Sequence, residues 1–264
     1  MKKYFVIGNP IEHSFSPKLH NHWHKEYNIN ATYDKKKINE KDLQYIISEI
    51  KKKKINGINV TVPFKKAVIP YLDKLSSEAK QTQSVNTIFL MNDNLVGHNT
   101  DINGFKKAIQ NLNFNIKDKK IFILGAGGVV PSIIFSLISM NVSEIIISNR
   151  TRQKADDLKS HFKNLNVIDW GSIPNFDVII NATSLGLKNE VINLNFSQVG
   201  EKKLFYDVIY NPSLTSFLKE GKKLGNLCEN GKLMFIYQAA DTFKLWHGIE
   251  PKINIETIKL LEND

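Results

Sequence analysis

Apolar positions along this chain alternate between short unbroken runs and longer stretches in which they recur every third or fourth residue. Short runs rich in Val, Ile and Phe read as buried strands, and the longer recurrence reads as amphipathic helix. Strands are therefore predicted at residues 4–7, 32–38, 55–62, 84–90, 95–98, 121–124, 144–148, 167–168, 177–181 and 204–210. Helices are predicted at 16–27, over a segment capped by Asn39 and carrying Leu43, Ile46, Ile47 and Ile50, and then at 65–72, 76–82, 102–112 and 132–140. Further helices follow at 152–162, 213–224, 233–246 and 255–261. Ser16 is the expected N-cap of the first helix, with Pro17 at its first position. Asn92, Asp93 and Asn94 sit where a hairpin would turn. The alternation predicts an α/β chain in which the strands before residue 100 form a domain separate from those after it.

The second half opens on a strand, a glycine turn and a helix start. Residues 121–124 lead into Gly125, Ala126, Gly127, Gly128 and Val129, and then into an apolar helix. This is the order of a Rossmann-type doubly wound domain, where glycines let the backbone approach a pyrophosphate at a helix N-terminus. The next strand delivers Asn149, Arg150, Thr151 and Arg152. An NAD site would place an acidic side chain there for the ribose hydroxyls. Of the 36 strong bases in the chain, only Arg150 and Arg152 are arginine. Planar guanidinium groups suit a 2′-phosphate in a way lysine does not. The expected cofactor is NADP(H).

Composition adds boundaries. The 264 residues are 42% hydrophobic and 23% charged, ordinary for a globular chain. Net charge is +10 and the pI is near 9.4, but the lysines are spread out apart from residues 35–37 and 51–54. No nucleic-acid partner is expected; a positive field also suits small anions. The one cysteine, Cys228, excludes an internal disulfide and fits a reducing compartment. With no leader pattern and no membrane-length apolar run, a cytoplasmic protein is expected. His20 and His24 share a helix face without a cysteine or carboxylate to complete a ligand set, so no metal is expected and the face is read as partly exposed.

For chemistry, Lys65 follows a strand end at a predicted helix start. There both the helix dipole and partial burial disfavour the ammonium and tune it for proton transfer. Asp101 is its natural partner. Ser14, Ser16, Asn59, Thr61 and Asn86 lie at loop or strand ends, offering short hydroxyl and amide groups to a polyhydroxylated ligand.

Several segments together resemble the shikimate dehydrogenase family over essentially the whole chain. They begin with His13-Ser14-Phe15-Ser16-Pro17, then Asn59-Val60-Thr61-Val62-Pro63-Phe64-Lys65, Ser84-Val85-Asn86-Thr87 and Asn99-Thr100-Asp101. The glycine turn, Asn149-Arg150-Thr151, Asn181-Ala182-Thr183, Asp207-Val208-Ile209-Tyr210-Asn211-Pro212 and Tyr237-Gln238-Ala239-Ala240 follow in order. The resemblance implies NADPH-dependent reduction of 3-dehydroshikimate to shikimate in aromatic amino-acid biosynthesis. It implies a substrate domain at 1–100, joined by helices from 234–264, and an NADP-binding domain at 101–233. Lys65 would be the acid/base paired with Asp101, and Ser14 and Ser16 would hold the substrate carboxylate. Thr61, Asn86, Asp101, Tyr210 and Gln238 match positions at the ring hydroxyls. Asn149, Arg150 and Thr151 match the 2′-phosphate loop, with Lys154 as a second base, and Thr183, Val208 and Gly231 match the nicotinamide half. Val130 and Pro131 depart from the family pattern, which prefers a small residue at the first. The oligomeric state is open, a homodimer among the options. Two other readings are an NAD-dependent quinate/shikimate enzyme, which would need an acidic group near Asn149, and a non-catalytic NADP-binding regulator, which would not need Lys65 and Asp101 together.

Overall fold

Each half of the predicted alternation closes into its own six-stranded sheet. In a computed structural model of the chain, describing residues 1–188 and 190–261, the first half contains β1 (Lys2–Gly8), α1 (Ser16–Glu26), β2 (Ala31–Lys37), α2 (Leu43–Lys51), β3 (Gly57–Val60), β4 (Lys74–Leu75), α3 (Ser77–Thr82), β5 (Thr87–Met91), β6 (Asn94–His98) and α4 (Asp101–Gln110). The second half contains β7 (Lys120–Leu124), α5 (Val130–Ser139), β8 (Glu144–Ser148), α6 (Arg152–His161), β9 (Leu165–Ile168), β10 (Val178–Asn181), β11 (Leu204–Asp207), α7 (Ser216–Lys223) and β12 (Leu227–Glu229). Then come α8 (Lys232–His247) and α9 (Ile255–Lys259). Residues group into two compact units, one of Met1–Gly104 with the segment from Ile236 onward, the other of Phe105–Phe235. The last residues of the expected 234–264 segment, 262–264, lie outside the described residues.

The sheet of the first unit runs β2-β1-β3-β5-β6-β4. β1 is parallel to β2 and β3, and β5 is antiparallel to both β3 and β6. The β5–β6 hairpin turns on Asn92 and Asp93, both at positive φ (48° and 57°), a conformation these residue types tolerate. Ile46, Ile47 and Ile50 of α2 pack with Ile7, Ile58, Val60 and Ile88. Burying each such side chain stabilises by about 1.5–3 kcal/mol. The second sheet is wholly parallel in the order β12-β11-β10-β7-β8-β9, the doubly wound order with its reversal at β7. Its core gathers Phe122, Leu124, Ile179, Phe205 and Phe217. Val130 is fully buried at the start of α5.

Four local expectations are corrected. No α-helix forms over 65–72; the segment is a series of turns ending in a 3-10 turn at Ile69–Tyr71. Pro70 explains this, since it lacks the N–H a continuing helix needs and its ring crowds the preceding turn. Ser16 lies inside α1, whose N-cap is Phe15; the Ser14 Oγ accepts from the Ser16 N–H at 3.3 Å instead. β4 and β12 were missed, because two or three residues are too few to show periodicity. The His20–His24 face is not partly exposed. Both side chains are buried, His20 stacked on Tyr33 at 4.3 Å and His24 Nε2 lying 3.2 Å from His247 Nε2. Burial pushes His24 and His247 down to about 4 and His20 well below the usual histidine range. Among the described residues no group of three His, Cys, Asp or Glu could hold a metal ion.

Candidate active site and dinucleotide cradle

In the first unit, two loops bring a cation and a carboxylate together. Phe64 is buried in the core beside the end of β3, and the backbone carbonyl of Lys65 accepts from Val85 N–H, fixing the turn from which Lys65 projects. Asp101 is the first residue of α4, where an acidic side chain suits the helix dipole. Its N–H is held by Asn99 Oδ1 at 3.1 Å, and Asn99 Nδ2 in turn donates to Ser84 O and Thr82 Oγ1. Lys65 Nζ donates to Asp101 Oδ2 at 2.5 Å, with both side chains at least 90% buried. A buried ammonium needs such a partner, because an uncompensated one costs several kcal/mol. No helix begins at Lys65, so the dipole argument for its reactivity has nothing to act on. What this lysine has is a carboxylate.

The other oxygen of Asp101 accepts from Asn86 Nδ2 at 3.0 Å, and Gln238 Oε1 on α8 lies 3.3 Å from the same nitrogen. Ser14 and Ser16 share a hydroxyl–hydroxyl bond of 3.2 Å. Thr61 is half-buried, and its hydroxyl has no partner among the described residues. Asn59, also among the expected ligand contacts, is buried. Its Oδ1 accepts from Tyr33 OH at 2.8 Å and its Nδ2 faces Asn86 O, Thr87 Oγ1 and Thr242 Oγ1, so the buried amide is already committed. Thr100 and Thr242 belong to the same buried cluster, and sequence reasoning missed both. Thr242 falls one helical turn after Gln238, a spacing that puts the two on one face and could have flagged it. Tyr210 lies in the second unit, stacked on Phe235 at 4.5 Å.

In the second unit, Gly125 turns the chain out of β7 at φ +104°, where a Cβ would sit 2.8 Å from Ala182 O. Protein geometry alone demands that glycine. Gly127 differs: a Cβ there would meet only Ala182 O at 3.8 Å, so the exposed space over it is open to a ligand. Ala126, Gly128 and Val129 complete the turn ahead of α5. After β8, Asn149 Nδ2 donates to Thr151 O at 2.7 Å and closes the next loop. Arg150 and Lys154 are exposed, and their side chains make no hydrogen bond or ion pair to any described residue. Arg152 departs from expectation. It is paired with Asp169 and lies 3.6 Å from Asp156, so only one of the two arginines is uncommitted.

At the strand ends of this sheet, Thr183 N–H and Oγ1 both donate to Asn181 Oδ1, at 3.1 and 2.7 Å, and Asn181 Nδ2 donates to Asp207 Oδ1 at 3.1 Å. Asp207 also accepts from Ile209 N–H at 3.0 Å and from Thr215 Oγ1 at 2.6 Å. It is fully buried with no cation paired to it among the described residues, and burial pushes its carboxyl up to about 6. Gly231 passes so close to Val208 that a Cβ would overlap the Val208 carbonyl oxygen. A doubly wound sheet, an open glycine turn and an unpaired guanidinium after the second strand fit a phosphorylated dinucleotide. With the buried Lys–Asp pair, they define a nicotinamide-dependent oxidoreductase.

Comparison with known proteins narrows the class. Residues 6–88 match the shikimate dehydrogenase substrate binding domain, and residues 106–208 match the shikimate / quinate 5-dehydrogenase family. The chain is 54% identical to the shikimate dehydrogenase (NADP(+)) of Pelagibacter ubique (strain HTCC1062), over 99% of this chain and all of that one. The crystal structure of shikimate dehydrogenase from Aquifex aeolicus superposes with a TM-score of 0.91 at 34% identity, covering 100% of this chain and 98% of that one. The shikimate 5-dehydrogenase of Thermus thermophilus, in complex with NADP(H) and shikimate, gives 0.90 at 29% identity, covering 99% of each chain. The chain belongs to the shikimate dehydrogenase family and is an NADP-dependent oxidoreductase. Among the described residues, no helix is long and apolar enough to cross a membrane.

Proposed function

We propose that this chain interconverts 3-dehydroshikimate and shikimate with NADP(H), using Lys65 as the acid/base and Asp101 as the carboxylate that orients it. The observation that carries this reading is the buried 2.5 Å contact between the two side chains, with Asn86 on the carboxylate's other oxygen. NADP(H), when bound, supplies or takes the hydride. In the reducing direction the ring ketone carbon gains that hydride, and its oxygen takes a proton from Lys65 Nζ; in the oxidising direction Lys65 takes the proton back. Asp101 holds the ammonium in one position, so the proton is delivered along a fixed direction.

Ser14 and Ser16 hold the substrate carboxylate, while Thr61, Asn86, Asp101, Gln238 and Tyr210 meet the ring hydroxyls. Arg150, with Asn149, Thr151 and Lys154, holds the 2′-phosphate, and the turn from Gly125 to Val129 holds the pyrophosphate. Thr183, Val208 and Gly231 face the nicotinamide half. Residues 1–100 with the C-terminal helices, joined by Asp101 and Tyr210, serve the substrate and the rest of 101–233 serves NADP(H), in a protein of the cytoplasm. The test offers purified protein shikimate or quinate with NADP⁺ or NAD⁺ and follows nicotinamide absorbance. Reduction of NADP⁺ with shikimate is expected to dominate. No turnover with shikimate and either coenzyme would end the proposal.

A further inference from the structure

We propose that Thr242 is a positioning residue for this reaction, closing a ring of buried hydrogen bonds that aims Asn86 at Asp101. The inference rests on the catalytic reading of Lys65 and Asp101 above. Thr242 lies on α8 one turn after Gln238 and has no exposed surface. Its hydroxyl is 2.9 Å from Thr87 Oγ1, 3.2 Å from Thr100 Oγ1 and 3.3 Å from Asn59 Nδ2. A hydroxyl offers one proton and two lone pairs, so these three neighbours saturate it.

The direction of the ring follows from the one amide in it. Asn86 Oδ1 accepts from the Thr100 backbone N–H at 2.8 Å, which fixes which end of the amide is oxygen. Asn86 Nδ2 therefore donates to Thr100 Oγ1 at 2.9 Å, and Thr87 Oγ1 donates to Asn86 Oδ1 at 3.1 Å. With Thr87 donating to Asn86, the shorter of the two hydroxyl contacts on that oxygen, the order that uses every proton once has Thr100 donate to Thr242 and Thr242 donate to Thr87. With one amide proton spent on Thr100, the other is directed to Asp101 Oδ1 at 3.0 Å, ahead of Gln238 Oε1 at 3.3 Å. Remove the Thr242 hydroxyl and Thr87 and Thr100 each lose a buried partner. The Thr100 proton is then free to turn to Asn86 Oδ1, 3.2 Å away, and the amide can tilt between Asp101 and Gln238. Thr242 thus acts on Lys65 through Asn86 and Asp101 and not by touching substrate or cofactor itself.

The experiment compares wild type, Thr242→Val and Thr242→Ser in NADP⁺-dependent shikimate oxidation across pH, with NADP⁺ affinity and thermal melting measured alongside. Val keeps the shape and removes the hydroxyl; Ser keeps the hydroxyl. Thr242→Val is expected to lower kcat about 5- to 20-fold. The acidic limb of its kcat–pH profile is expected to move to higher pH, because a carboxylate that has lost an amide donor holds its proton more strongly. NADP⁺ affinity is expected to stay within twofold, and Thr242→Ser to restore both rate and profile. Should Thr242→Val not fold, Thr242→Ala removes the hydroxyl without adding bulk and is read the same way. A lowered melting temperature with an unmoved pH profile overturns the proposal, as does a Ser variant as slow as Val. Inactive wild type would instead sink the catalytic reading itself.

Discussion

In the first unit the ammonium of Lys65 has its counter-ion 2.5 Å away, whereas in the second the guanidinium of Arg150 has none among the described residues. Solvent exposure separates the two cases. Lys65 is 8% exposed, and an unpaired ammonium there would cost several kcal/mol, so the fold must supply Asp101 before any ligand arrives. Arg150 stands in water, where leaving it unpaired costs almost nothing and pairing it with a nearby carboxylate would gain little. The first region is assembled in advance and can do chemistry. The second is left unsatisfied, which is what the 2′-phosphate role proposed for Arg150 requires of it. Asp207 is a third case, a buried carboxylate whose donors among the described residues are all neutral. Burial alone therefore does not mark a reactive group; the identity of the partner does.

The largest expected effect comes from taking the cation out of the assembled pair. Lys65→Ala should lower kcat by roughly 10²–10⁴, the range for a lost general acid/base, with NADP⁺ affinity unchanged. Steady-state rates and a cofactor titration check this. Loss in substrate affinity alone would make Lys65 a binding group and remove the contrast with Arg150.

Asp207 tests the same contrast through stability. Its folded value of about 6 lies above the ordinary 3.8, so the unfolded chain gives up that proton first as pH rises. The group therefore costs stability progressively between about pH 4 and pH 6, and no further above that. On the order of 2–3 kcal/mol is at stake. His24 and His247 act in the opposite sense. Their folded values near 4 lie below the ordinary 6.5, so their stability is present above pH 6.5 and is lost as pH falls through 4. Asp207→Asn separates the two, since both proteins share the histidines. The stability of the variant relative to wild type should rise as pH goes from 4 to 6.5, measured by urea unfolding. A flat difference would mean that Asp207 is ionised without penalty.

Sequence carried much of this. The period of apolar residues gave ten of the twelve described strands, most of them carrying buried apolar runs, and the glycine turn was legible because Gly125 is sterically obligatory. Lys65, Asp101 and Asn86 were legible as residues but not as a network, since the bond from Asn86 to Asp101 joins residues brought together only by folding. The hydrogen bonds of Asn59 to Tyr33 and Thr242 were illegible for the same reason, since those partners reach an amide at a strand end only in the folded chain. Pro70 argues against a helix over 65–72, a signal the sequence itself carries. Arg152 could not be told from Arg150 by sequence, because Asp169, which holds it, lies beyond the intervening helix α6.

That last distinction yields the smallest expected effects and the sharpest separation. Arg150→Leu should weaken NADP⁺ binding by about 10- to 100-fold, the worth of one or two charge-assisted hydrogen bonds, and leave NAD⁺ binding alone. Arg152→Leu removes an equal charge two residues away. Because that guanidinium is already shared between Asp169 and Asp156, a phosphate must compete with two carboxylates for it, and the change in NADP⁺ affinity should stay under about threefold. Fluorescence titration of both variants with both coenzymes makes the comparison. A long-range charge effect alone would weaken NADP⁺ similarly in each, since both positions lie within one screening length. Equal losses would therefore show that net charge, and not an unpaired guanidinium, selects the phosphorylated coenzyme.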